Sequence, residues 1–127
     1  MSKEAIETVV NSYFTNLAGM NAPAWLENFA EDAITYDPVG KPANQVHQNY
    51  EKFFGLLSTF FAKMEIAQDY VSIAEDRAAV KWTMNVLAKN GKTAEAEGIS
   101  VFEFNDDGKI QTLSAYWDDD AMMAKLK

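Results

Sequence analysis

The sequence is 127 residues long, the size of one domain, and its 48% hydrophobic and 13% aromatic content supports a folded core and excludes intrinsic disorder. With 19 acidic residues against 11 basic ones, the net charge of -8 excludes nucleic acid as a partner, since phosphate binding needs clustered Lys and Arg. The lack of cysteine removes disulfides, thiolate nucleophiles and thiolate metal sites.

The opening "MSKEAIETVV" mixes charges with apolar residues, and no long apolar run follows. Neither a signal peptide nor a membrane span is expected, and the chain reads as soluble and cytoplasmic. Ile6, Val9, Val10, Tyr13 and Leu17 recur at helical spacing behind Ser2, a suitable N-cap, which places Tyr13 on the buried stripe. "GMNAP" ends that helix. "AWLENFAED" predicts a short second helix that packs Trp25, Leu26 and Phe29 inward, with Pro23 in its first turn. A short strand "AITY" follows and stops at the turn "DPVGKPAN". A third helix is predicted over roughly 44–62, capped by Asn44, with Val46, Tyr50, Phe53, Leu57 and Phe60 or Phe61 on its apolar face.

The remainder reads as antiparallel strands. "MEIAQDYVSIA" passes through the turn "EDR" into "AAVKWTMNVLA", where Val80, Trp82, Met84 and Val86 alternate with Lys81, Thr83, Asn85 and Leu87. "KNGK" supplies an Asn-Gly hairpin turn. In "TAEAEGISVFEF" the residues Ala94, Ala96, Gly98, Ser100, Phe102 and Phe104 share one face. "NDDGK" turns into a last strand, "IQTLSAYW", and "DDDAMMAKLK" predicts a short C-terminal helix whose first-turn carboxylates suit the helix dipole. Three N-terminal helices followed by a meander of long hairpins define a single α+β domain over residues 1–127, its curved sheet packed on the helices.

Three side chains stand out. Asp37 sits where an apolar strand gives out, and it is either ordinary turn chemistry or a partly desolvated base at the mouth of a pocket. Tyr13, on an inner stripe, is either a core aromatic or a phenol whose acidity suits hydrogen bonding to an enolate oxygen. Ser100 shares an apolar face with Phe102 and either bonds to backbone or donates to a ligand. His47 stands alone near a helix start and reads as a surface residue; Arg77, the single arginine, falls in a tight turn; Asp118 reads as part of a helix start. No phosphate loop, Ser-His-Asp arrangement or zinc motif is present.

The helix with an inward Tyr, then "FAEDAITYDPVG", a helix with "YEKFF", and hairpins ending in "GISVFEFNDDGKI" together resemble the cone-shaped fold of the nuclear transport factor 2-like superfamily. Within it the chain is similar to the ketosteroid isomerase and SnoaL-like branch, whose isomerases carry a catalytic aspartate in a comparable Asp-Pro-Val-Gly turn. The resemblance implies a cofactor-free isomerase: Asp37 takes a proton beside a carbonyl and returns it along the conjugated system, while Tyr13 holds the enolate oxygen. Isomerases of that branch pair the base and the tyrosine with a second, protonated carboxylic acid; the corresponding position here is Ser100. Phe54 likewise stands where some members place a tyrosine.

The same resemblance implies a pocket lined by Phe29, Phe54, Trp82, Met84, Phe102, Leu113 and Trp117, suited to a hydrophobic carbonyl compound, with no metal or cofactor, and a homodimer formed through the outer face of the sheet. Two alternatives stay open, a SnoaL-like cyclase or hydrolyase and a non-catalytic ligand-binding or dimerisation module.

Overall fold

A computed structural model describes residues 1–127. Helix α1 (Lys3–Ala18) starts at Ser2, whose hydroxyl accepts from the Ala5 amide at 3.1 Å, and it buries Ile6, Val10, Tyr13 and Phe14. Asn21 caps α2 (Ala22–Leu26), which buries Trp25.

That second helix ends earlier than its apolar pattern predicts. Residues from Phe29 onward form β1 (Phe29–Tyr36), because pairing with the last strand outcompetes helical propensity there; the register shifts between Phe29 and Ile34, and burial alternates only from Ala33 on. Asn28 makes the change of direction possible. Its side-chain amide donates to the Ser12 hydroxyl at 3.0 Å and to the Trp25 carbonyl at 3.2 Å, while its own carbonyl accepts from Ile110 N at 2.8 Å.

Asn44 is not a helix cap. It pairs with Thr35 in the two-residue strand β2 (Asn44–Gln45), and Gln45 precedes α3 (Val46–Phe60) without a side-chain capping bond. Val46 and Phe54 are buried on α3, with Tyr50, Phe53 and Leu57 packed at the core's edge. Four long strands follow: β3 (Phe61–Ala74), β4 (Arg77–Ala88), β5 (Thr93–Phe104) and β6 (Ile110–Tyr116). Arg77 lies at the start of β4 rather than in the turn and pairs with Glu103 at 3.2 Å. The turn itself is carried by Glu75, in the left-handed region at φ 53°, and Asp76.

The six strands form one sheet in the order β2-β1-β6-β5-β4-β3, parallel only between β1 and β6. Irregularities at Phe61–Lys63 and Gln68–Tyr70 interrupt the β3–β4 register, which bends the long hairpin and curls the sheet over the helices without closing it. The architecture is therefore α+β, with the predicted inward face of β4 (Val80, Trp82, Met84, Val86) buried against α1 and its neighbours. Helix α4 (Asp119–Lys125) is capped by Asp118 and buries Met122 beside β5. No helix is long and apolar enough to cross a membrane.

Candidate active site

Strand alternation aims β1 at the space under the helices: Ala33 and Thr35 are buried, and Asp37 continues that face just beyond the strand's end. Three contacts fix the turn that follows. Val39 N donates to the Ala115 carbonyl of β6 at 2.8 Å, Lys41 pairs with Asp119 at the start of α4, and Trp117 Nε1 donates to Asp37 Oδ1 at 2.7 Å. The Asp37–Pro38 peptide is cis.

Two cavities meet at this point. The larger, about 270 Å³, has Tyr13, Trp25, Thr35, Phe53 and Leu113 in its wall together with Asp37, and a more exposed side formed by Pro42, Asn44, Asn49, Lys52 and Leu56. The smaller, about 40 Å³, lies deeper between α1 and the sheet and includes Ser100, Trp82, Met84 and Trp117. Tyr13 and Asp37 belong to both. The carboxylate and the phenol thus form the partition between a larger compartment and one with room for about one or two small groups.

Burial is the largest influence on Asp37 and raises its pKa above the ordinary carboxylate value; the Trp117 hydrogen bond partly offsets this, and the nearby Asp119 charge adds to the rise. Asp37 is nevertheless exposed as a residue, so solvent screening tempers that rise. Tyr13 is 3% exposed, and its pKa is raised well above the usual phenol value, first by burial and then by the Asp37 charge. Tyr13 lines both cavities, which places its hydroxyl to donate to a ligand there. Ser100, 2% exposed, accepts from Trp82 Nε1 at 2.9 Å, which leaves its own O–H for the small cavity.

Gly98 makes this packing possible. A Cβ there would lie 2.5 Å from Trp82 Cζ2 and 2.8 Å from Trp117 Cβ. The two indoles pack edge to face with centroids 5.5 Å apart, which steadies the N–H aimed at Asp37.

Of the sequence-predicted residues, Tyr13, Asp37, Ser100, Trp82, Met84 and Trp117 share the small cavity, and Leu113 faces the larger one. Phe29, Phe54 and Phe102 line neither. Phe102 packs edge-on to Tyr13 at 5.1 Å, Phe29 does so at 6.0 Å, and Phe54 packs against Trp25 at 5.0 Å, so these rings brace the cavity walls from behind. His47 is half-buried rather than on the surface, with Nε2 3.2 Å from the Phe29 carbonyl, and is in neither cavity.

Sequence reasoning missed Thr35, Asn49, Lys52 and the cavity face of Trp25. Two signals pointed to them: Thr35 precedes Asp37 by one strand period, and residues 49, 52, 53 and 56 keep helical spacing. No three His, Cys, Asp or Glu side chains converge in a way that would hold a metal ion.

Comparison with known proteins agrees with this architecture. The model of the SnoaL-like domain family matches residues 10–122. A steroid Δ-isomerase of Nocardioides simplex is 26% identical over 118 residues, spanning 92% of each chain. Among solved structures, an NTF2-like protein of unknown function from Burkholderia pseudomallei superposes with a TM-score of 0.85 at 21% identity, over 100% of this chain and 99% of that one. An epoxide hydrolase/cyclase-like enzyme of pyran ring formation in polyether salinomycin gives 0.80 at 24% identity, over 92% and 93%. A putative polyketide cyclase from Xanthomonas campestris gives 0.85 at 15% identity, over 98% of both chains. With most of its length matched by the family model, the chain belongs to the SnoaL-like family, and it shares the NTF2-like α+β fold with these structures.

Proposed function

We propose that this protein is a cofactor-free enzyme that isomerises a hydrophobic carbonyl compound by proton transfer. Asp37, as carboxylate, removes the proton from the carbon between a carbonyl and a carbon–carbon double bond. The Tyr13 hydroxyl donates to the oxygen of the resulting dienolate, and Asp37 returns the proton at the far end of the conjugated system. One proton moves and nothing else is consumed. The observation that carries this reading is that base and phenol share the partition between two cavities, and each is shifted upward by burial.

The two groups are coupled in a useful direction. The Asp37 charge helps to hold the phenol pKa up, so protonation of Asp37 by substrate makes Tyr13 more acidic as the enolate forms. Ser100 supplies a weaker second donor than a neutral carboxylic acid, and loss of one oxyanion donor costs roughly 10²–10³ in rate. Slow turnover follows from that substitution.

The test is the ultraviolet absorbance of the conjugated product formed from β,γ-unsaturated ketones, with a cyclohexenone and a 3-ketosteroid as substrates. The parent should turn over at least one, while Asp37→Asn should lose activity and Tyr13→Phe should lower kcat. Equal rates for all three proteins would refute the mechanism.

A second reading draws on the cyclase-like structures: the same pair would generate an enolate that attacks another carbonyl of the same molecule and closes a ring. Appearance of a cyclic product without the conjugated enone would favour it. In a non-catalytic binding module, by contrast, Asp37 would titrate as a solvated turn carboxylate.

The outer sheet face supports a homodimer. Tyr70, Lys81, Ile99 and Tyr116 stand in register across four strands, and the three apolar members are exposed.

A further inference from the structure

The larger cavity is chemically two-ended. Its buried wall is formed by Tyr13, Trp25 and Leu113. Its outer side is built largely by one stripe of α3, on which Asn49, Lys52, Phe53 and Leu56 follow at helical intervals. Lys52 therefore lies on the cavity-facing side of the helix. No carboxylate lies within ion-pairing distance of it, as is true of several other lysines; what distinguishes Lys52 is its place in the wall of the cavity that Asp37 and Tyr13 also line.

Two further polar groups flank it. Asn49 donates one N–H to the Gln45 carbonyl at 3.0 Å, which steadies the amide and leaves its second N–H. Thr35 is 6% exposed and lines the same cavity. The buried side-chain atom left without a hydrogen-bond partner is Trp25 Nε1 on the same wall, an N–H that a polar ligand atom would satisfy.

Lys52 stands on the α3 side of the cavity and Asp37 just beyond the end of β1, so the cation and the base occupy different elements of its wall.

We infer that the ligand of this cavity is a carboxylate-bearing ketone, its carboxylate received by the Lys52 ammonium and Asn49 amide, with the Thr35 hydroxyl bonding between its two ends. The inference rests on the Asp37–Tyr13 reading for the placement of the carbonyl. The anionic end rests on Lys52, Asn49 and Thr35 alone.

Two phenols of similar shape separate these claims. 4-Propylphenol mimics only the enolate end, and 3-(4-hydroxyphenyl)propanoate adds a carboxylate on a short tether. Dissociation constants are measured by calorimetry for the parent and for Lys52→Gln, whose exposed helical position tolerates the change. The parent should bind the carboxylate about fivefold more tightly at low salt, as expected of a part-exposed ion pair, with the difference shrinking as salt is raised. Lys52→Gln should abolish the difference between the two phenols.

Equal affinity in the parent, or a preference that survives in Lys52→Gln, overturns the inference and leaves the isomerase reading standing. Failure of both phenols to bind the parent overturns the reading and the inference together.

Discussion

Replacing Trp117 by phenylalanine removes one atom group from the site and keeps a ring against Trp82. The indole N–H donates to Asp37 Oδ1 at 2.7 Å, a charge-assisted bond that lowers the carboxyl's pKa against the opposing effect of burial. Hydrogen bonds to charged groups contribute about 1.5–3 kcal/mol. Water that reaches this cavity-lining carboxyl replaces part of that, so the pKa of Asp37 should rise in Trp117→Phe by less than the full value of the bond.

Because the base must be ionised, the acid limb of kcat/KM should move to higher pH by the same amount. ¹³C NMR of the labelled carboxyl follows the same titration without any substrate. The effect on stability has a definite sign. A carboxyl whose folded pKa lies above its unfolded value costs stability once pH exceeds the unfolded pKa, and the full cost is reached above the folded pKa. Trp117→Phe enlarges that cost, so the variant's deficit should be greater near neutrality than in acid below the unfolded pKa. A limb that stays in place, or moves to lower pH, would refute the assigned hydrogen bond.

Asp119→Asn removes a charge that raises the Asp37 pKa, so the acid limb should move to lower pH, opposite to Trp117→Phe, in the same NMR titration. In Gly98→Ala the new methyl meets Trp82 and Trp117, with 2.5 Å the shortest approach; a loss of about 1–3 kcal/mol in denaturant unfolding is expected, together with a disturbed Asp37 titration. Ile99→Asp places a charge in the exposed apolar row of the outer sheet face and should convert a dimer to a monomer in sedimentation velocity, whereas a parent that is already monomeric would dismiss that interface.

Much of the architecture was legible because alternation and turn chemistry agree in the second half. The apolar alternation of residues 80–86 and the Asn90-Gly91 turn left little choice of register. The boundary near Phe29 was not legible. Its pairing partner, Ile110, lies far along the chain, and "ENFAED" taken alone suits a helix. The candidate site divides in the same way. Asp37 and Tyr13 announce themselves through the local turn and stripe, but the Trp117 bond spans 80 residues and leaves no local trace. Phe29, Phe54 and Phe102 read as pocket wall because apolar aromatic residues of the core and of a cavity look alike in sequence. Only the packing distinguishes a ring that faces the hollow from one that supports it.

The turn after Asp37 is moored to the last helix, through Lys41 to Asp119 and through Trp117, which immediately precedes the capping Asp118. The acidity of the carboxyl is therefore set in part from α4 and the residue before its cap, the Trp117 bond lowering its pKa and the Asp119 charge raising it. Loosening of α4 on mild heating would release both and admit water to relieve the burial that outweighs them, and the carboxyl would relax toward an ordinary acidity inside an otherwise intact sheet. Proton-abstracting power would fade several degrees before the fold itself melts.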